Sequence, residues 1–331
     1  MPIRTAASLT LLLPLLLPAF AVACLAVCYL SGHPLRAGLL NADALYLPML
    51  FDDLLTRGGR LSDWYLTPAP CFFPDYPLYL AAWWMAPTSY YQIIVFGVLQ
   101  CALLFGAVAL LARALGARAV LPAAACSLTL FAWLAASGRE PFVLLLSNAY
   151  HFGGFLAVLL AAAWLRFEAS ASRAGLGAAH LLPARRAPAL LLAGACAFTL
   201  GIGMATARQW QAHPIESAYY PADSACLDRA LARMDLHHGV AQYWDAKPFQ
   251  RFSRSGIVLA QHIASLEELP WITSRRYFRP AYDFALVGPD APPPHHIPAA
   301  RLEAINGPPL ARVRCGAYTI LLYGRDGMRV Y

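Results

Sequence analysis

The sequence predicts an α-helical transmembrane bundle of about five spans plus one re-entrant or interfacial helix, followed by a C-terminal extracytoplasmic α/β domain. Three observations carry this. The 331 residues are 59% hydrophobic and 13% charged, against roughly 25% charged in soluble proteins. Five apolar segments, at 7–30, 89–111, 119–137, 146–165 and 188–207, are near the roughly 20 residues that a helix needs to cross a bilayer. Beyond residue 207 the long apolar runs stop, and short strand-like and helix-like stretches alternate. Composition and these segments divide the chain into an N-terminal anchor span (1–30), an outer loop (31–88), a transmembrane bundle (89–207) and the α/β domain (208–331).

Residues 1–30 open with MPIR and continue in an apolar run. That run exceeds the roughly 7–15 residues of a signal-peptide core, which favours an uncleaved anchor. The stretch AVAC at 21–24 is a weak lipoprotein-like processing motif and leaves cleavage as the alternative. With the N-terminus inside, the inner segments carry Arg4, then Arg113 and Arg118, then Arg166, Arg173, Arg185 and Arg186, with Glu168 the only acid among them. This is the positive-inside distribution. It places 31–88, the GRE turn at 138–140 and everything after 208 on the outer side. The net charge of +7 therefore reports topology rather than nucleic-acid binding. Lys247 is the only lysine, and the arginines flank spans instead of forming a patch.

In the outer loop, LNADALYLPMLFDDLLTRGG reads as a short amphipathic helix with Leu47, Leu50, Phe51 and Leu54 on one face and Asp52 and Asp53 on its wet side. Asn41 or Asp43 is a candidate cap. PLYLAAWWMAP at 77–87 is too short to span and reads as the interfacial piece. Asp75 precedes it inside TPAPCFFPDYPLY, at the expected mouth of the bundle. A carboxylate near apolar walls serves as base or ligand, or simply caps a helix. His151 opens the fourth span beside Gly153 and Gly154, either as a site residue or as a partner for a loop carbonyl.

The tail reads as helix (DSACLDRALARMD), strands (GIVLAQHI, YDFALVG, CGAYTILLYG), helix (IPAARLEAING) and a closing turn at 324–327. Cys24, Cys28, Cys101, Cys126 and Cys196 lie in spans as packing residues. Cys226 and Cys315 are the two cysteines of the tail and are expected to form a disulfide in an oxidising compartment. Cys71 is left over, and the doublets His237–His238 and His295–His296 lack zinc-ligand spacing. In YWDAKPFQRF, Lys247 stacking on Trp244 and Asp245 meeting Arg251 would make either a glycan-facing surface or a structural corner.

DALYLPMLFDDLL, W-x-L-T-P-A-P-x-F-F-P-D-x-P-L-Y and N-A-Y-H-F-G-G resemble multispanning bacterial membrane proteins of the GT-C glycosyltransferase type. CLDRALARMDLHHGVAQYWDAKPFQRFSRSGIVLAQ, LPWITSRRYF and YDFALV are similar to the extracytoplasmic tail of that group. The resemblance implies an enzyme of the bacterial inner membrane that takes a sugar from a polyprenyl-phosphate carrier at the outer face. An acid of the first outer loop then acts as general base or holds a divalent metal. Asp43 matches that acid and Asp75 is the second choice. Arg60, Arg139 and His151 are candidates to bind the substrate phosphate. The implied partners are the polyprenyl-phosphate-linked sugar, a glycan or lipid acceptor and membrane lipid, with no nucleic acid. The bundle has fewer crossings than is usual in that group, which implies a shortened relative and leaves room for an oligomer or partner subunit. The alternative reading is a catalytically degenerate, membrane-anchored envelope protein whose periplasmic domain binds a glycan or a protein. A transporter ranks below both, because the spans hold few polar residues to line a path.

Overall fold

The structure is a computed structural model that describes residues 3–67, 72–117, 119–147, 152–172, 187–289 and 296–331. His151, Cys71, His295 and the arginines at 118, 173, 185 and 186 lie outside the described residues. In chain order the elements are α1 (Ile3–Leu30), α2 (Pro34–Leu39), α3 (Tyr46–Thr56), β1 (Trp64–Tyr65), α4 (Asp75–Met85), α5 (Ser89–Ala114), α6 (Val120–Ala136), α7 (Glu140–Leu144), α8 (Phe152–Ser172) and α9 (Ala187–Ala212). There follow α10 (Ala222–Ala232), β2 (His238–Ala241), α11 (Tyr243–Phe252), β3 (Val258–Gln261), β4 (Thr273–Ser274), β5 (Phe284–Val287), α12 (Ala299–Asn306), β6 (Ala311–Cys315) and β7 (Tyr318–Leu322). The chain divides into a helical unit, residues 1–39 with 71–217, and an α/β unit, residues 40–70 with 218–331.

In the helical unit, four helices are long and apolar enough to cross a membrane: Leu12–Leu30, Ser89–Ala114, Phe152–Ala169 and Pro188–Ala212. The expected third span is the shorter apolar helix α6, whose 17 residues rise about 26 Å. Alanines let its neighbours come close. Ala124, Ala125, Ala132 and Ala135 are fully buried, and α6 packs against α1, α5 and α9. Gly201 of α9 belongs to the same packing, since a Cβ there would lie 3.0 Å from the indole nitrogen of Trp133. The 11 residues of α4 are too few to span, as expected. Its turn into α5 is locked by Gln92, which accepts from the Tyr79 hydroxyl (2.9 Å) and donates to the Ala86 carbonyl (3.1 Å). After α9 the chain returns to the end of α1. There Glu216 takes two hydrogen bonds from Arg36, at 2.9 and 3.3 Å, and donates its own N–H to the Leu30 carbonyl.

The α/β unit is built on a five-stranded sheet of order β3-β2-β5-β7-β6. β3, β2 and β5 run parallel, and β7 and β6 add an antiparallel hairpin. Alternation along the strands divides the core in two. Phe284, Leu286, Ile320 and Leu322 face Leu227 and Leu231 of α10 and Phe249 of α11. Ala285, Leu321 and Val240 face Leu302 of α12 with Tyr282 and Met328. β2 was not among the expected strands, because its four residues include Gly239. The glycine is there for room: a Cβ would sit 2.5 Å from the Phe284 ring. Gly239→Ala is accordingly expected to cost about 1–3 kcal/mol through overpacking, read as a lowered unfolding temperature of the α/β unit.

Residues 40–70 are part of this unit. The expected amphipathic helix is α3, and the structure buries it nearly all round, from Tyr46 to Phe51. Asp53 is also buried, unlike the wet-face expectation. It accepts from the Trp64 indole at 2.8 Å, and Arg276 stands 3.5 Å away. Asp52 is half-buried and pairs with Arg57 (2.8 Å) and Arg251 (3.2 Å). β1 pairs antiparallel with β4. Cys226 of α10 and Cys315 of β6 are joined by a disulfide with Cα atoms 5.6 Å apart.

Candidate functional site

The turn before α3 presents Asp43. Asn41 closes that turn, its side chain accepting from the Ala44 N–H at 2.8 Å. The Asp43 carboxylate accepts a hydrogen bond from the Tyr243 hydroxyl. Tyr243 begins α11, with Gln242 as cap: the Gln242 side chain accepts from the Trp244 N–H at 2.8 Å. One helical turn on, Lys247 lies on the same face, as residues four apart do. Its ammonium sits 3.9 Å above the centre of the Tyr243 ring. The ring beneath Lys247 is thus that of Tyr243, where Trp244 was expected, and Arg251 pairs with Asp52.

Lys247 is 2% exposed. A further polar partner is Gln261, at the end of β3. With the Gln261 amide oxygen turned towards it, the Lys247 nitrogen donates at 3.1 Å, and the amide N–H donates to the Trp271 carbonyl at 2.9 Å. This orientation satisfies both ends of the amide. Burial pushes the Lys247 amine down to about 7, against the charge of Asp43, which favours the ammonium. Burial likewise raises Tyr243, and so do the hydrogen bond to Asp43 and its negative charge, while a hydrogen bond from Trp271 works the other way. Tyr243 therefore stays a neutral phenol that orients Asp43.

These values fix a pH dependence. In the unfolded chain a lysine titrates near 10.4, and in the folded protein Lys247 titrates near 7. Below about pH 7 the folded protein carries the whole cost of the buried ammonium. Between about 7 and 10.4 the unfolded chain binds more protons, so this group makes stability rise with pH by up to roughly 1.4 kcal/mol per pH unit. Lys247→Met removes the cost at every pH. Its stability advantage over the parent protein is expected to shrink from pH 7 to pH 10, as followed by thermal unfolding. A gap independent of pH would contradict the assignment.

Asp43 and Arg60 belong to the α/β unit, Asp75 and Arg139 to the helical unit. Arg60 and Arg139 are exposed, each just ahead of a short helical segment. Asp75, expected at the mouth of the bundle near apolar walls, is the first residue of α4 and is fully buried. The helix N-terminus favours its negative charge. Beside it, Gly153 lets the Phe73–Pro74 backbone approach, since a Cβ there would meet the Phe73 carbonyl oxygen at 2.7 Å. Among the described residues no group of three His, Cys, Asp or Glu side chains could hold a metal ion. The groups beside Asp43 include the Tyr243 phenol and the Lys247 amine, and the described residues do not supply there the several oxygen ligands of the divalent metal that the sequence resemblance allowed. His237 and His238 give their backbone N–H groups to Asp283 at 2.8 and 2.9 Å.

Tyr243, Gln261 and Trp271 were not among the expected site residues. The signal for Tyr243 was present in its spacing of four from the only lysine, on a helix started by Gln242. Gln261 and Trp271 carry no local mark. Set against known families, curated proteins and solved structures, the chain has no significant match to any of them.

Proposed function

We propose that this chain is an inverting glycosyltransferase of the bacterial inner membrane, with five crossings, its N-terminus inside and its α/β unit outside. It would move a sugar from a polyprenyl-phosphate carrier to an envelope acceptor. The observation that supports this reading is the Asp43 carboxylate, half-buried and held by the Tyr243 hydroxyl. Asp43 takes the proton of an acceptor hydroxyl as that oxygen attacks the anomeric carbon. The bond from that carbon to the phosphate oxygen breaks, and the phosphate leaves with the electron pair. Arg60, exposed in the same unit as Asp43, is a cation available to a leaving phosphate. The test is to incubate the full-length protein in detergent with polyprenyl-phosphate sugars and an envelope glycan fraction. Transfer with inversion supports the reading, and no transfer from any carrier removes it.

A second reading has its own observation. Asp43, Asp52 and Asp53 each engage a residue from the last third of the chain, namely Tyr243, Arg251 and Arg276. Three such clasps would serve a non-catalytic envelope protein that presents the α/β unit to a glycan or protein. Glycan binding without transfer in the same assay favours it.

A further inference from the structure

We propose that Trp244 and Trp271 form a stacking platform for an uncharged pyranose ring beside Asp43. Of the tryptophans in the α/β unit, Trp64 is 5% exposed, whereas Trp244 and Trp271 are 43% and 41% exposed. Both lie close to Tyr243, the residue that holds Asp43. The Trp244 ring meets the Tyr243 ring edge-on, with centroids 5.0 Å apart. The Trp271 carbonyl is bonded to Gln261, whose amide oxygen takes the Lys247 ammonium that sits over the Tyr243 ring.

The backbone that carries them is tied down: the Trp244 main-chain N–H donates to the Gln242 side chain, the Trp271 main-chain N–H to the Leu269 carbonyl (2.8 Å), and the Trp271 carbonyl accepts from Gln261. An indole has only two side-chain torsions, so it offers a flat apolar face at small entropic cost on binding. A pyranose complements it, with a C–H face to stack and hydroxyls at its edge for a carboxylate. Charge narrows the ligand further. The Asp43 carboxylate repels a phosphate or an acidic sugar, which favours a neutral ring. That the ring belongs to the acceptor rests on Asp43 acting as base; the platform itself does not.

The test uses the full-length protein in detergent micelles, titrated calorimetrically with neutral trisaccharides of glucose, of mannose and of galactose. At least one is expected to bind the parent protein. Trp244→Ala and Trp271→Ala should each weaken it tenfold or more, while Trp→Phe at the same positions retains part of the affinity. The Phe variants also serve if an Ala variant fails to fold. Asp43→Asn keeps the platform and should lose at most a few-fold in binding. The proposal is overturned if no trisaccharide binds, or if the tryptophan variants bind like the parent. It is equally overturned if bromine-labelled phosphatidylcholine vesicles quench the fluorescence that these two residues contribute, since the indoles would then sit in lipid. Transfer that survives Asp43→Asn removes the base and leaves the platform standing. Loss of trisaccharide binding alone does the reverse.

Discussion

Asp43→Asn is expected to lower sugar transfer by about 10²–10⁴-fold while the chain remains folded and membrane-bound. Asparagine has the shape of aspartate and still offers a carbonyl oxygen to the Tyr243 hydroxyl, so the turn before α3 keeps its anchor. What disappears is the negative charge, and with it the capacity to take a proton. The other consequence falls on Lys247, whose ammonium is favoured by Asp43 and already titrates near 7. Without that carboxylate the amine releases its proton more readily, and the folded state is retained by deprotonation rather than lost. Transfer rates and unfolding temperatures of the two proteins, measured side by side at pH 8, check both halves. Transfer at the parent rate would remove Asp43 as the base, and a collapse of the unfolding temperature would make its role structural.

Removing the disulfide, by Cys226→Ser or Cys315→Ser, is expected to destabilise the α/β unit by about 3–4 kcal/mol, a fall of roughly 10 °C in unfolding temperature. The bond closes a loop across a sequence separation of 89 residues, and cross-links of long loops restrict the unfolded chain most. It also acts at a vulnerable place. β6 is an edge strand of the sheet, with Ala311, Arg312 and Arg314 exposed, and the disulfide ties its last residue to α10. The variants should melt at one temperature with or without reductant, and the parent protein should descend to that temperature when reduced. A parent melt indifferent to reductant would show that the bond contributes nothing.

What could be read from the residues was whatever is local. Apolar runs gave the long helices, and the run YTILL gave β7. The period of Leu47, Leu50 and Phe51 marked α3 as a helix, but it could not say that the opposite side would be covered as well. Part of that covering comes from far along the chain: Arg276 lies 223 residues from Asp53. The same distance hid Tyr243 from Asp43. Local signals also misled. Pro248 lies inside α11, where a proline removes a helical hydrogen bond, and Gly239 weakens the strand pattern of β2 although the Phe284 ring leaves space for nothing larger.

The α/β unit is assembled from two stretches of chain, 40–70 and 218–331, with the helical unit between them. As the protein emerges from the ribosome, the first stretch is made before any residue of its sheet exists. Met49, Trp64 and the carboxylate of Asp53, all buried at the end, must wait uncovered while the intervening helices are synthesised. Maturation therefore cannot be completed before the last strands are released, and long-range closure of this kind is slow. A fragment starting at residue 218 would lack the segment that covers Lys247 and Tyr277, so recombinant work on the tail calls for residues 40–70 to be supplied with it.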